Sequence, residues 1–160
     1  MNENIRLETT YYANGQVKEK LTRRGGRLHG PATSWHPNGT LAAQGEFRND
    51  EREGLWQWWT PQGVLISEGY FLDGRIEGRG SEWYASGRLL EQCTWKDGEP
   101  HGLATEWYED GTKKSEREWF EGSLHGRVTE WDCFGNVICE ADYLNGDELR
   151  CLRPLLREVG

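Results

Sequence analysis

The sequence is poor in the residues on which most chemistry and most compartments depend. Its four cysteines, Cys93, Cys133, Cys139 and Cys151, form no Cys-x-x-Cys pair and stand at no zinc-finger spacing from a histidine. Neither a metal site nor a disulfide framework is implied, and reduced thiols are expected. No apolar run approaches the roughly 18 residues that suggest a membrane-spanning helix. The opening MNENIRLETT lacks the basic and apolar stretches of an export signal, so a cytoplasmic protein is expected. There is no GxSxG elbow, no phosphate loop and no GxGxxG after a strand, so neither catalysis nor a cofactor is expected.

Positive charge is also scarce: 19 Lys and Arg face 27 Asp and Glu, a formal charge of −8. Residues 1–30 carry six basic and three acidic residues, whereas residues 31–160 carry 13 against 24. Phosphate backbones and anionic lipids are bound through neutralisation by Lys and Arg. Nucleic acid and membranes are therefore not expected as partners, and a basic protein surface is. The run KEKLTRRGGR at residues 18–27 is read as a solvated edge of the first repeat. Only 35% of the chain is hydrophobic, a poor supply for a thick interior. Aromatic rings, burying roughly 150–250 Å² each, can supply the thin core of a repeat protein instead.

What the chain has in abundance is a period. Gly15, Gly39, Gly63, Gly87, Gly111 and Gly135 recur every 24 residues without an insertion, and Gly30, Gly54, Gly78, Gly102 and Gly126 keep the same interval. Two glycine columns are read as two turns per repeat. Two aromatic columns run between them, Tyr11, Trp35, Trp59, Trp83, Trp107 and Trp131, and Phe47, Phe71, Trp95, Trp119 and Tyr143. Each repeat reads as a hairpin, for example residues 78–84 and 88–96. Asn14-Gly15 and Asn38-Gly39 read as hairpin turns because both residues tolerate positive φ, and Asp110-Gly111 and Ser86-Gly87 use the same chemistry; Asp73-Gly74, Asp97-Gly98 and Asn145-Gly146 close the second turn.

The expected fold is all-β: 24-residue hairpins forming an elongated, twisted antiparallel meander over residues 1–146, with residues 147–160 as a C-terminal cap. In that last segment Leu149, Leu152, Leu155 and Leu156 stand near helical spacing, while Pro154 opposes a continuous helix. The small residues Gly45, Gly69, Cys93 and Ala141, a column broken by Arg117, leave room for a neighbouring Trp ring, and the ladder containing Trp59 is read as the core.

With the repeat written out, WYEDGTKKSEREWFEGSLHG at residues 107–126 resembles the MORN-variant repeat, and the resemblance covers residues 11 to about 146. His36, Thr60 and Asp132 depart from its second aromatic, and CFGN at residues 133–136 departs from its usual turn. Bacterial proteins built wholly of such repeats resemble antitoxin or immunity partners of toxins. The resemblance thus implies a non-enzymatic protein that neutralises a cognate toxin with a basic surface by occlusion; a general protein-binding scaffold is the alternative. The candidate partner-binding residues are Trp56 and Trp58, expected to be exposed on the face opposite Trp59, and the carboxylate column Glu82, Glu106 and Glu130, expected to be a solvated stripe of equivalent groups. His29, His101 and His125 are read as turn residues rather than metal ligands.

Overall fold

A computed structural model describes residues 4–153. These contain 14 β-strands and no helix: β1 (Ile5–Tyr11), β2 (Val17–Arg24), β3 (Arg27–Trp35), β4 (Leu41–Arg48), β5 (Glu51–Trp59), β6 (Leu65–Leu72), β7 (Arg75–Trp83), β8 (Leu89–Lys96), the two-residue β9 (Glu99–Pro100), β10 (Gly102–Trp107), β11 (Lys113–Phe120), β12 (Ser123–Trp131), β13 (Val137–Leu144) and β14 (Asp147–Arg153). The chain divides into two compact units, residues 1–77 and 78–160. In the first, β1 to β6 pair in chain order. In the second, β7 pairs with β8, β8 with both β9 and β10, and the order then runs to β14. Every pairing is antiparallel. The fold is the expected all-β meander of hairpins. Of residues 147–160, the first seven form β14 against β13; Leu155 and Leu156 lie outside the described residues.

The turns follow from residue chemistry, with two revisions. The first turn of each repeat holds only one left-handed residue, its glycine, as at Gly15 (φ 82°), Gly39 (85°) and Gly111 (95°). Asn14, Asn38 and Asp110 instead accept, through the side chain, the backbone N–H two residues on, the Asx geometry that tightens a turn without positive φ. The second turns are two-residue loops with both φ positive, such as Asp73-Gly74 (48°, 78°) and Asp97-Gly98 (54°, 88°), whose twist matches that of the flanking strands. The column beginning at Gly30 marks no turn. These glycines sit within or at the head of β3, β5, β7, β10 and β12, and around Gly30 the register jumps from Leu21↔Ala32 to Arg23↔Leu28. They are β-bulge residues at positive φ, which glycine alone adopts without strain.

The core is formed by two facing columns. Ala32, Trp56, Cys93, Ala104, Val128 and Ala141 are all 6% exposed or less. They pair across strands through small neighbours: Ala32 with Gly45, Trp56 with Gly69, Gly80 with Cys93, Val128 with Ala141. The face carrying the small column is thus the packed one. The ladder Trp59 belongs to the other face and is half-buried. Alternation does place Trp56 and Trp58 opposite Trp59, but which face is core is the reverse of the sequence expectation. Trp56 is buried, not exposed. Its ring lies so close over Gly45 that a Cβ there would stand 2.3 Å from Cδ2.

Successive repeats are also tied through the first turns. Tyr12, Tyr84 and Tyr108 donate their hydroxyls to the carbonyls of Trp35, Trp107 and Trp131, each at 2.8 Å. His36 Nε2 makes the same 2.8 Å bond to Trp59, so it replaces the tyrosine without loss of the tie. Thr60 and Asp132 are too short to do so and bond within their own turns.

Candidate functional site

The packed face carries a second row beside the core columns, and its chemistry differs between the two units. In the first unit the row runs through Glu19, Ser34, Ala43, Trp58 and Ser67, in register across β2 to β6. Trp58 stacks on Trp56 with ring centroids 5.9 Å apart and 29° between planes. Phe47 meets Trp56 edge-on at 4.9 Å, and Phe71 meets Trp58 edge-on at 6.2 Å. The Arg52 guanidinium lies 5.0, 5.4 and 5.4 Å from the centroids of Trp56, Trp58 and Phe71, within the range of cation–π attraction. Trp56 also donates its indole N–H to the carbonyl of Glu46 at 2.9 Å.

In the second unit the same row runs Glu82, Glu91, Glu106, Ser115, Glu130 and Cys139. Glu91 has Glu82 directly opposite on one side and Glu106 on the other. The glutamates, equivalent in sequence, are not equivalent in surroundings. Glu106 receives Lys114 Nζ at 2.6 Å, Ser115 Oγ at 3.3 Å and Arg117 Nη1 at 3.6 Å. Glu130 receives Arg117 Nη2 at 3.1 Å. Glu82 has no ion pair among the described residues. Arg117, the break in the small column, is the cation seated between Glu106 and Glu130. One repeat earlier that position is Cys93, which brings no charge to the row.

The electrostatic consequence falls on Glu91. Burial pushes its carboxyl above the usual range, and the charges of Glu82 and Glu106 push it further, against the pull of Arg117 and Lys114. Its repeat-equivalents Ser115 and Cys139 gave no hint of this at the sequence level; only the cross-strand register reveals it. The buried Cys93 beside it is pushed up to about 11 by burial and by Glu91, so it is a thiol rather than a nucleophilic thiolate at neutral pH.

The histidine column does not converge. The Phe120 ring lies between His101 and His125, with centroids 5.3 and 5.6 Å from theirs. Among the described residues no group of three His, Cys, Asp or Glu side chains could hold a metal ion, and no helix is long and apolar enough to cross a membrane.

Hairpins of 24 residues, two turns of fixed chemistry and a recurring Trp carbonyl tie define the unit of this fold. A model of the MORN repeat variant matches residues 7–23, 28–49 and 52–73, and a model of the MORN repeat matches residues 44–55, 68–87 and 94–113. The chain is a MORN-repeat protein. Comparison with curated proteins found no match. MORN repeats suggest a scaffold that binds proteins or membranes, which directs attention to the surface of the sheet rather than to an enclosed active site. Of the residues singled out from the sequence for that surface, Trp58, Glu82, Glu106 and Glu130 occupy one and the same repeat position, and Trp56 lies beneath it.

Proposed function

We propose that this MORN-repeat protein is a non-catalytic binding protein that covers a basic surface of another protein, as an antitoxin or immunity protein covers its toxin. The observation that carries the reading is the row Glu82–Glu91–Glu106. Like charges placed directly opposite across strands destabilise a sheet by a few tenths to about 1 kcal/mol per pair, and here two such pairs share Glu91. An arriving Lys or Arg relieves that repulsion. Arg117 performs the same service one repeat further on, between Glu106 and Glu130. Residues 78–160 carry ten basic and 17 acidic residues, a field that steers a cationic partner and repels anionic lipid.

The test begins with capture of partners from the native cell lysate and their elution with salt. The expected partner is a basic protein that arrests growth when expressed alone and is silenced by co-expression of the parent chain. Glu82→Lys should weaken the complex at least tenfold and abolish rescue. A salt-resistant complex, or a partner without toxicity, would overturn the immunity reading.

A further inference from the structure

The first unit holds a trough of about 370 Å³ that crosses β2 to β5. Its floor is made by Ala32, Ser34 and Ala43, and its long sides by Leu21 in β2 and by Trp56 and Trp58 in β5. The repeat explains why it is open. Ala32 and Ser34 occupy the positions that Trp56 and Trp58 hold 24 residues later. Two rings present on β5 are missing from β3, so the half-buried Trp58 faces space there, while Trp56, buried among Gly45, Phe47 and Arg52, borders the trough only at its margin.

Polar groups in the trough lack donors. Glu19 accepts a single long hydrogen bond, 3.5 Å from Thr10 Oγ1, and forms no ion pair among the described residues. Its register partner Ser34 is half-buried beside it. An occupant therefore needs a flat apolar body to lie against the indoles and a donor to reach the Glu19 carboxylate. Arg52 already covers the rings towards Phe71, so a second cation stacked on them would meet like charge. A neutral ring carrying its own N–H or O–H avoids that conflict. Trp56 shows the pattern within the chain: its ring packs on a small-residue floor while its N–H finds an oxygen. At about 370 Å³ the trough is at the small end of the range of ligand pockets, but it is open to solvent, whereas such pockets cover most of what they hold. It suits one side chain of a protein better than a free small molecule.

We propose that this trough is the anchor site for a tryptophan or tyrosine side chain of the basic protein partner, with the ring against Trp58 at the margin of Trp56 and its donor on Glu19. The inference rests on the protein-binding reading above and adds to it the residue that is recognised. Local charge complementarity supports the choice: an aromatic residue flanked by lysines brings a cation to the Glu19 carboxylate, which forms no ion pair among the described residues. Trp and Tyr are also, with Arg, the side chains enriched among interface hot spots.

The probe is the blocked peptide acetyl-Lys-Gly-Trp-Gly-Lys-amide, titrated into the full chain labelled with ¹⁵N in its indoles. The Trp56 and Trp58 N–H resonances should shift saturably, with a Kd of about 1 mM or tighter, and the peptide with Ala for Trp should leave them unmoved. Ser34→Trp fills the trough with the ring the next repeat carries and should weaken the peptide at least tenfold. Glu19→Gln, a substitution at a half-exposed position that preserves shape, should weaken it several-fold and covers the case in which Ser34→Trp does not fold. Equal shifts from the Ala peptide, or undiminished binding by a folded Ser34→Trp or by Glu19→Gln, would overturn the anchor site. A natural partner that binds the parent and the folded Ser34→Trp chain equally would remove the trough while leaving the protein-binding reading intact.

Discussion

The two units solve the same packing problem with opposite chemistry. At one repeat position on one face, the first unit carries Ser34 and Trp58, and the second carries Glu82, Glu106 and Glu130. Around Trp58 the rings of Trp56 and Phe71 gather, and one guanidinium, that of Arg52, lies over all three. Around Glu106 carboxylates are held by Lys114 and Arg117, and Glu91 is left without a direct cation. Charge follows the same division: residues 1–77 carry nine basic and ten acidic residues, and residues 78–160 carry ten and 17. The difference teaches that backbone register and the small-residue column specify the meander, while the row beside that column is free to become apolar or ionic. A repeat protein can thus vary its surface from one hairpin to the next without changing its fold.

The sharpest way to break this symmetry is to remove the ring on which the first unit's packing depends. Trp56→Ala should destabilise the chain by about 3–5 kcal/mol, as truncation of a buried aromatic side chain does, read as a lower urea midpoint. The loss includes its contacts with Phe47 and Trp58 and the bond to Glu46, and Gly45 cannot fill the space. Ala104, at the same repeat position in the second unit, has only a methyl group to lose. A Trp56→Ala chain as stable as the parent would mean that the apolar cluster is not the first unit's core.

That contrast also explains what could be read from the sequence. The 24-residue interval, the hairpins and the second-turn dipeptides were legible because each depends on local chemistry: positive φ at Asp-Gly and Asn-Gly, alternation along a strand. Three things were not. The column beginning at Gly30 looks like a turn signal because a bulge and a turn ask for the same positive φ. The core face was misassigned because a conspicuous Trp ladder suggests an interior. The face is settled instead by which column opposes the small residues, and that requires the pairing of Ala32 with Gly45 and of Val128 with Ala141. Likewise Glu82, Glu106 and Glu130 look alike along the chain. Glu91, which lies between two of them, belongs to a column shared with Ser115 and Cys139 that carries no acidic pattern.

The second unit's strain has a sign that can be measured. The folded state holds the Glu91 carboxyl above its ordinary value, so between that ordinary value, about 4.5, and the raised one the native chain binds more protons than the unfolded chain. Stability contributed by this group is then greatest at acid pH and is lost as pH rises through the window. Glu91→Gln removes the charge and keeps the shape. It should stabilise the chain by roughly 0.5–1 kcal/mol at pH 7, raising Tm by about 1–4 °C for a domain of this size, and the gain should shrink towards zero at pH 4. A gain that persists undiminished at pH 4 would show that repulsion from Glu82 and Glu106 is not its source. The same substitution should weaken capture of the basic partner, separating stability from binding at one residue.

An effect no larger belongs where the two units ought not to differ, in the two-residue turns. Most left-handed positions there hold Gly, Asn or Asp, but Glu121 sits at φ 48° in the loop between β11 and β12. A long side chain there brings none of the local hydrogen bonding by which Asn and Asp offset the clash of Cβ with the following carbonyl. Glu121→Asn, which restores the Asn-Gly pair found at Asn145-Gly146, should therefore stabilise the chain by about 0.5–1 kcal/mol. The gain should be independent of pH between 6 and 8 and accompanied by no change in partner binding, because the turn lies away from the row that includes Glu106. If Glu121→Asn were neutral for stability yet altered the complex, the turn itself would be part of the binding surface, and the contrast between an aromatic and an acidic unit would have to be extended from the sheet face to its edge.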